Sequence, residues 1–167
     1  MIILGVRYVS TLNTSIDTTL SSTDQVTLSN SQQIQGLPFS IECVGIVTYV
    51  EDGDTINIKS TEGFRVGETF PVRFADIDTP PKSTSSGANA KSALNELIYG
   101  EVIGLDINDL KNYDKYGRVV AVVYLQIGDS TVMNVNKWLV DNRYANIWDF
   151  DDNEFNPYAW QLLYDIS

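Results

Sequence analysis

Hydrophobic and polar residues alternate along several stretches after about residue 40, which is the pattern of half-buried β-strands. Short links at 51–54 and 60–63 contain glycine and are typical of hairpin turns. The pattern therefore predicts five strands, of which the first three are joined by tight turns. They occupy residues 41–50, 55–59, 69–76, 102–106 and 119–125.

The hydrophobic spacing becomes helical between the third and fourth strands and again after the fifth. Residues 87–99 place apolar side chains on one face, and Gly100 follows as a C-terminal stop. A second helix is predicted at 135–142, with Asn134 as its cap. Asn156-Pro157, a capping residue before a first-turn proline, predicts a third helix that runs towards residue 165.

The order of these elements, three strands, a helix, two strands and then helices, is that of an OB-type barrel. The expected fold is therefore α+β and mainly β: a five-stranded OB-fold barrel with about three helices. Residues 10–35 are dominated by Ser, Thr, Asn and Gln and contain no aromatic residue. We expect residues 1–38 to be a flexible Ser/Thr-rich tether and residues 39–167 to form the domain.

The amino-acid composition limits the kinds of binding site that the chain can form. No apolar run approaches the roughly 20 residues that cross a bilayer, so no membrane span is expected. The chain has one cysteine and no histidine, which excludes an internal disulfide and a Cys/His zinc site. Any metal must then be held by oxygen atoms. The net charge of -11 argues against tight, non-specific DNA binding, although a local pair of arginines with a bound dication can still hold a phosphate.

Three charged segments carry the candidate chemistry. Residues 52–55 read Asp-Gly-Asp-Thr, the third predicted strand carries Arg73 and is followed by Asp78, and residues 114–118 read Asp-Lys-Tyr-Gly-Arg. Taken singly, the first segment is typical of a hairpin turn, the second of an ion pair at a strand end and the third of a solvated hairpin. Their shared order and separation are more specific than any one of them.

Together the three segments resemble the staphylococcal nuclease (thermonuclease) family, whose signatures read D-G-D-T, R-x-x-x-x-D-T/A-P-E and D-K-Y-G-R. The resemblance covers roughly residues 44–149. It implies that Asp54 and Asp78 give carboxylate oxygens to a calcium ion and that Thr79 adds its backbone carbonyl. Such a hard, oxygen-only shell suits Ca²⁺ better than Zn²⁺. Asp52 corresponds to a partner outside the ligand shell.

The resemblance also implies roles for two arginines. Arg73 and Arg118 match the phosphate-binding arginines of the family, and a guanidinium can donate two parallel hydrogen bonds to phosphate oxygens. In phosphodiester hydrolysis, such groups stabilise the charge that develops in the transition state.

One position departs from the family pattern. The family has a glutamate after the proline, similar to a general base, and this chain has Pro81 there. Because general-base help is worth about 10²–10⁴ in rate, its loss predicts a slow enzyme. Asp76, Glu51 and Glu101 are alternative carboxylates, and the spacing does not single out one of them.

The chain also departs from the family pattern in the aromatic residues against which a nucleobase would stack. Trp148 and Phe150 are the stacking candidates, one or two positions from where the family has tyrosines; the alternative is that Trp148 belongs to the core.

The function implied by the resemblance is thermonuclease-like, calcium-dependent hydrolysis of single-stranded or flexible DNA or RNA by a monomer, impaired by Pro81. The main alternative is a non-catalytic module that binds nucleic acid or a phosphate ligand on the same surface, and a third is a tethered protein-interaction domain. The missing leader points to the cytoplasm, whereas a weak calcium site suits a secreted or cell-surface protein whose leader was removed.

Overall fold

The computed structural model describes residues 37–149 and 153–167. All five predicted strands are confirmed, and four short strands are added to them. Within the described residues the strands are β1 (Cys43–Asp52), β2 (Thr55–Gly63), β3 (Thr69–Phe74), β4 (Ile77–Asp78), β5 (Val102–Ile107), β6 (Val119–Gln126), β7 (Thr131–Asn134), β8 (Asn146–Ile147) and β9 (Leu163–Asp165). The helices are α1 (Ser85–Ile98) and α2 (Val135–Asp141).

Five strands close into a barrel in the order β3-β2-β1-β5-β6. Closure comes from a parallel pairing of β3 with β6, in which Val72 lies opposite Val119 and Phe74 opposite Ala121. This pairing removes the two edges that an open five-stranded sheet would expose. The closed barrel with two helices confirms the predicted mainly β, OB-type fold.

The apolar side chains that alternate with polar ones along the strands point inwards and fill the interior of the barrel. Alternate residues are buried from 56 to 60 in β2 and from 70 to 74 in β3, among them Ile56, Ile58, Phe70 and Phe74, which are almost fully inaccessible to solvent. Burying a side chain of this size contributes about 1.5–3 kcal/mol relative to leaving it exposed. The barrel is therefore a packed core whose rim carries the polar groups.

Helix α1 covers one end of the barrel with the face that the sequence predicts. Its buried residues include Ala90, Leu94 and Ile98, and Gly100 follows with φ +78°. The Thr84 hydroxyl accepts a hydrogen bond from the Gly87 amide at 3.0 Å and caps the helix. A Cβ atom at Gly87 would lie 2.1 Å from the Pro81 carbonyl oxygen, so only glycine lets the helix start against the Pro80-Pro81 backbone.

The prediction of a third helix from Asn156 is wrong. Asn156 does cap the segment, since its side chain accepts a hydrogen bond from the Tyr158 amide, but only one 3-10 turn forms, at Pro157–Ala159. The chain then becomes β9, which pairs with β7. The edge of β7 offers unpaired backbone groups, and ladder hydrogen bonds to it replace those of a helix.

Two predictions fall on residues outside the described ranges. The tether at 1–38 lies there except for its last two residues, and so does the stacking candidate Phe150. At the start of the described chain, the Phe39 ring stacks on Tyr124 with centroids 3.9 Å apart. Among the described residues, no helix is long and apolar enough to cross a membrane.

Candidate functional site

Asp54 lies in the turn between β1 and β2 and is only 5% exposed. Its Oδ2 atom accepts hydrogen bonds from the amide and the hydroxyl of Thr79, both at 2.9 Å. The Asp54 amide in turn donates to Oδ1 of Asp52 at 3.2 Å. Burial raises the pKa of Asp54, and this outweighs the opposing effects of the Arg73 charge and of the Thr79 hydrogen bonds. The turn thus presents a carboxylate that has lost most of its hydration.

Arg73 joins the two carboxylates that the resemblance assigns to a metal. It lies in β3 opposite Thr55 of β2 and Val120 of β6. Its Nη1 atom is 3.3 Å from Asp54 Oδ2, and its Nη2 atom is 3.3 Å from Asp78 Oδ1. The Asp78 side chain is 50% exposed, so the cluster is open to solvent on that side.

Arg118 reaches the same cluster from the loop before β6. Asp114 orients it, with Oδ2 lying 2.7 Å from both Nε and Nη2. The Arg118 Nη1 atom donates to the Thr55 hydroxyl at 3.1 Å, and that hydroxyl donates to Asp54 Oδ1 at 3.2 Å. Burial alone would raise the pKa of Asp114, but the hydrogen bonds from Arg118 and from the Tyr116 amide hold it below its usual range. Both arginines are therefore connected to Asp54, one directly and one through Thr55.

A cavity of about 560 Å³ lies beside the two arginines, between the end of β3, the loop 108–118 and Asn153. Its volume is within the range of small-molecule sites. Lys111 and Lys115 line it together with Arg73 and Arg118, so four of the chain's 11 basic residues surround one cavity. A protein with a net charge of -11 thus has a local concentration of positive charge next to the candidate site.

The alternative carboxylates for the Pro81 position are found at three different places. Glu51 forms an ion pair with Lys82, directly after Pro81. Asp76 is buried and lines the cavity. Glu101 lies beyond the C-terminal end of α1, whereas Pro81 contacts its N-terminal end, and a helix of 14 residues is about 21 Å long. Of the three, Glu51 is the one that contacts a neighbour of Pro81 in the chain.

Trp148 is 54% exposed, so the alternative that it belongs to the core is wrong. Its backbone amide donates to the Asp76 carbonyl at 2.8 Å. Within the described chain, the aromatic residues that line the cavity are Phe74, Tyr113 and Tyr116.

Sequence reasoning missed several residues of the site. Thr55 was part of a motif, but its link to Arg118 depends on the register of β2 and of β6 against β3. Asn108 and Tyr113 precede the third motif, and no pattern marked them. Asn136 is fully buried in α2; its Nδ2 donates to the Ala75 carbonyl at 2.9 Å, and its Oδ1 accepts from the Val123 amide at 3.0 Å. The sequence did offer one sign of the role of Asn136, because it is a polar residue among apolar residues of the predicted helix.

No group of three or more Asp, Glu, His or Cys side chains in the described ranges is arranged to hold a metal ion by itself. Asp54 and Asp78 would therefore need backbone or water oxygens to complete a coordination shell.

Comparison with known proteins identifies the family of this chain. The family described as "Staphylococcal nuclease homologue" matches residues 71–165, more than half of the chain. A micrococcal nuclease of Shigella flexneri is 29% identical over 116 residues, which are 67% of this chain and 62% of that protein. An uncharacterized endonuclease of Haemophilus influenzae is 32% identical over 111 residues, which are 66% of this chain and 54% of that protein.

A third relative, an endonuclease of Bacillus subtilis, is 34% identical over 128 residues, which are 68% of this chain and 10% of that protein. The chain thus spans between about half and two thirds of the length of the first two relatives. The fold and the site define a nuclease-like OB barrel, and the chain belongs to the staphylococcal nuclease family.

Proposed function

We propose that this protein is a calcium-dependent phosphodiesterase that cleaves single-stranded or flexible DNA or RNA. The observation that carries the proposal is the connection of Arg73 and Arg118 to one buried carboxylate, Asp54, beside a cavity rich in basic residues. This arrangement supports binding of a phosphate that bears a full negative charge. The names of the relatives, a micrococcal nuclease and endonucleases, support the same class of reaction.

In the proposed reaction the two arginines carry the largest share of catalysis by the protein. As water attacks phosphorus in line, negative charge grows on the equatorial oxygens and on the leaving oxygen. Arg73 is mostly buried and is fixed by two carboxylates, so its N–H groups are oriented before the substrate arrives. Arg118 is fixed in the same way by Asp114 and Thr55. A phosphate must share these donors with the carboxylates or replace them.

The donor chemistry of the cluster fits calcium. Asp54 and Asp78 contribute oxygen atoms within reach of one guanidinium, and Thr79 is held against Asp54 by two hydrogen bonds. In our proposal these three residues hold the ion, and Asp52 orients Asp54 through its amide. A bound Ca²⁺ would offset the desolvation of Asp54 and add positive charge beside the phosphate.

Arg118 provides the main test, with Arg65 as a matched control. Both arginines donate through Nε and Nη2 to a carboxylate, Asp114 for Arg118 and Glu68 for Arg65, but Arg65 lies outside the cluster. Lysine keeps the charge and loses the two-pronged hydrogen bonding. We expect Arg118→Lys to lower cleavage of denatured DNA in millimolar Ca²⁺ by about 100-fold, and Arg65→Lys to leave it unchanged. Cleavage that persists in EDTA, or that is equal in the two variants, would contradict the proposal.

Pro81 favours the second candidate, a module that binds nucleic acid without cleaving it. Proline can neither accept a proton nor orient water, and Glu51, one of the alternative carboxylates, is paired with Lys82. Replacing Pro81 by glutamate distinguishes the two. A gain of about tenfold or more in calcium-dependent cleavage by Pro81→Glu would mean that the remaining site is competent. If neither protein cleaves and both bind an oligonucleotide in calcium, the binding module is correct.

A further inference from the structure

A second pair of a lysine and a tyrosine lies outside the cavity, between α1 and β1. The Lys91 Nζ atom in α1 is 5.3 Å from the centroid of the Tyr49 ring in β1. At the cavity, the Lys115 Nζ atom is 5.0 Å from the centroid of the Tyr116 ring. Tyr49 and Lys91 are not among the residues that line the cavity. The chain thus places a cation over an aromatic ring at a second position, which is separate from the cavity.

A bulge in β1 turns the Tyr49 side chain towards solvent. The register of β1 against β2 shifts between Val47 and Tyr49, which makes Thr48 an extra residue. Thr48 and Tyr49 are therefore both exposed, and Tyr49 is 48% exposed. With regular alternation after the buried Val47, the Tyr49 ring would point into the barrel. Bulges of this kind are frequent next to active sites, where they redirect a side chain.

Two lysines give this surface its positive charge. Lys82 is exposed and forms an ion pair with Glu51. The hydrogen bond to Glu51 raises the pKa of Lys82, and Asp52 and Tyr49 lie near enough to add to the increase. Among the described residues, the ion pairs do not include Lys91. Since an exposed ion pair contributes little to stability, a phosphate can compete with Glu51 for Lys82.

The exposed face of α1 extends the surface with neutral side chains. Ser85, Ser86, Asn89 and Ser92 are exposed there, and the one acidic residue of the helix, Glu96, lies in its last turn. Serine and asparagine side chains commonly contact phosphate and sugar groups in complexes with nucleic acids. The first half of the helix therefore offers hydrogen-bonding groups without negative charge.

This surface begins next to the turn that carries Asp54. Glu51, the partner of Lys82, directly precedes Asp52, whose side chain accepts a hydrogen bond from the Asp54 amide. Tyr49 precedes Asp52 by three residues, which is about 10 Å along a strand. A nucleic-acid strand rises about 3.4 Å per nucleotide, so about three nucleotides cover this distance. A strand bound at the arginines can thus reach Tyr49 if it is longer than a few nucleotides.

We propose that Tyr49, Lys82 and Lys91 form a second contact surface for single-stranded nucleic acid, and this inference rests on the proposed phosphate site. A base stacks on the exposed part of the Tyr49 ring, and the two lysines bind the phosphates on either side of it. A dinucleotide at the arginines is too short to reach this surface, whereas a longer strand contacts both places. The surface therefore makes affinity increase with the length of the substrate.

The experiment compares fluorescently labelled oligothymidylates of two and of twelve nucleotides. Their affinities for the full chain are measured by fluorescence anisotropy in EDTA, where calcium-dependent cleavage does not proceed. We expect Tyr49→Leu to weaken binding of the longer strand about tenfold, and Tyr49→Phe to change it by less than about twofold, because phenylalanine keeps a ring for stacking. Lys91→Gln should reduce the slope of log affinity against log salt by about 0.7. The shorter strand should bind equally to all of these proteins.

Tyr158→Leu and Lys137→Gln are the matched controls. Tyr158 is an exposed tyrosine of the 3-10 turn, Lys137 is a lysine of α2 that is paired with Asp141, and neither residue lines the cavity. Both variants should bind the longer strand as the wild type does, and thermal unfolding shows whether each variant is folded. A loss in Tyr49→Leu that is the same for both strand lengths, or the same as in Tyr158→Leu, overturns the inference.

The outcomes separate this inference from the proposed function. Cleavage of DNA by a protein whose affinity for the longer strand does not depend on Tyr49 would remove the second surface and leave the phosphodiesterase in place. A loss confined to the longer strand, in a protein that does not cleave, would support the surface and contradict catalysis. Failure to bind or to cleave either oligonucleotide would overturn both.

Discussion

Gly53 separates two carboxylates of the site, and its missing side chain decides how closely α1 approaches them. A Cβ atom at this position would lie 2.8 Å from Ala90 Cβ and 2.9 Å from both Cγ2 and Oγ1 of Thr79. We expect Gly53→Ala to lower the free energy of unfolding by about 1–3 kcal/mol, because the packed helix must move. Cleavage should fall as well, since a displaced Thr79 cannot keep its two hydrogen bonds to Asp54.

Urea denaturation measures this effect, with Gly128→Ala as the matched control. A Cβ atom at Gly128 would meet its nearest neighbour, Thr131 Cβ, at 4.0 Å, which is ordinary contact. The control should therefore change stability by no more than about 0.5 kcal/mol. Equal effects at the two glycines would mean that the turn and the helix are not in close contact.

Among the secondary-structure elements, α2 is fastened to the barrel by one polar side chain. Asn136 bonds the Ala75 carbonyl at the end of β3 and the Val123 amide in β6, and it is fully buried. Ala75 is next to Asp76, whose φ is +55°, so the helix also supports the wall of the cavity. We expect Asn136→Ala to cost about 2–4 kcal/mol of stability, because it leaves a buried acceptor and a buried donor without partners.

Asn142→Ala tests whether burial causes that loss. Asn142 ends the same helix and donates from Nδ2 to the Trp138 carbonyl at 2.9 Å, but it is exposed. Water can replace this bond, so thermal unfolding should shift little. A loss at Asn142 as large as that at Asn136 would argue against a special role for the buried amide.

The elements that could be predicted from sequence are those specified by local pattern. The alternation in β1, β2 and β3, the apolar runs of β5 and β6, and the helical spacing and caps of α1 and α2 sufficed because the buried positions of each element are marked in its own local sequence. The segment after Asn156 could not be predicted, since its strand exists only through pairing with β7, far away in sequence. In the site, motifs indicated Asp54, Arg73 and Arg118.

The contacts between these residues were not predictable in the same way. The path from Arg118 through Thr55 to Asp54 depends on side chains from two segments that are far apart in sequence and meet at the barrel rim. The cavity residue Asn108 has no motif of its own, because its place in the cavity wall depends on burial and on its hydrogen bonds to the amides of Leu110 and Lys111. The spacing of residues along the chain predicts neither the burial of a side chain nor its hydrogen bonds.

At the scale of the whole molecule, the charge is divided between two regions. Basic residues surround the cavity, whereas four carboxylates gather around the end of β5: Glu42, Asp106, Asp109 and Glu154. Glu42 Oε2 accepts from the Ile107 amide at 2.8 Å, and Glu154 Oε1 accepts from the Asp109 amide at 2.7 Å. These hydrogen bonds hold the start of β1 and the C-terminal segment against the end of β5. They also bring four acidic side chains close together.

Asp106 is the member of this cluster that should make stability depend on pH. Burial, and next the charges of Glu42 and Glu154, raise its pKa to about 8, while a hydrogen bond from the Ser40 amide opposes them. In the unfolded chain an aspartate loses its proton near pH 4. Between these values the folded state binds more protons than the unfolded state, so this group makes stability fall as pH rises from about 4 to about 8.

The variant Asp106→Asn removes the ionisation and keeps an acceptor for the Ser40 amide. We expect its stability advantage over the wild type to be small at pH 5, where Asp106 is ionised only in the unfolded chain, and to be larger by about 1–3 kcal/mol at pH 9, where the folded state ionises as well. Urea denaturation at the two pH values measures this difference. Asp129→Asn, in the exposed loop between β6 and β7, removes the same charge and should give equal small changes at both. A gain at Asp106 that is already complete at pH 5 would mean that packing, and not the charge of the carboxylate cluster, limits stability there.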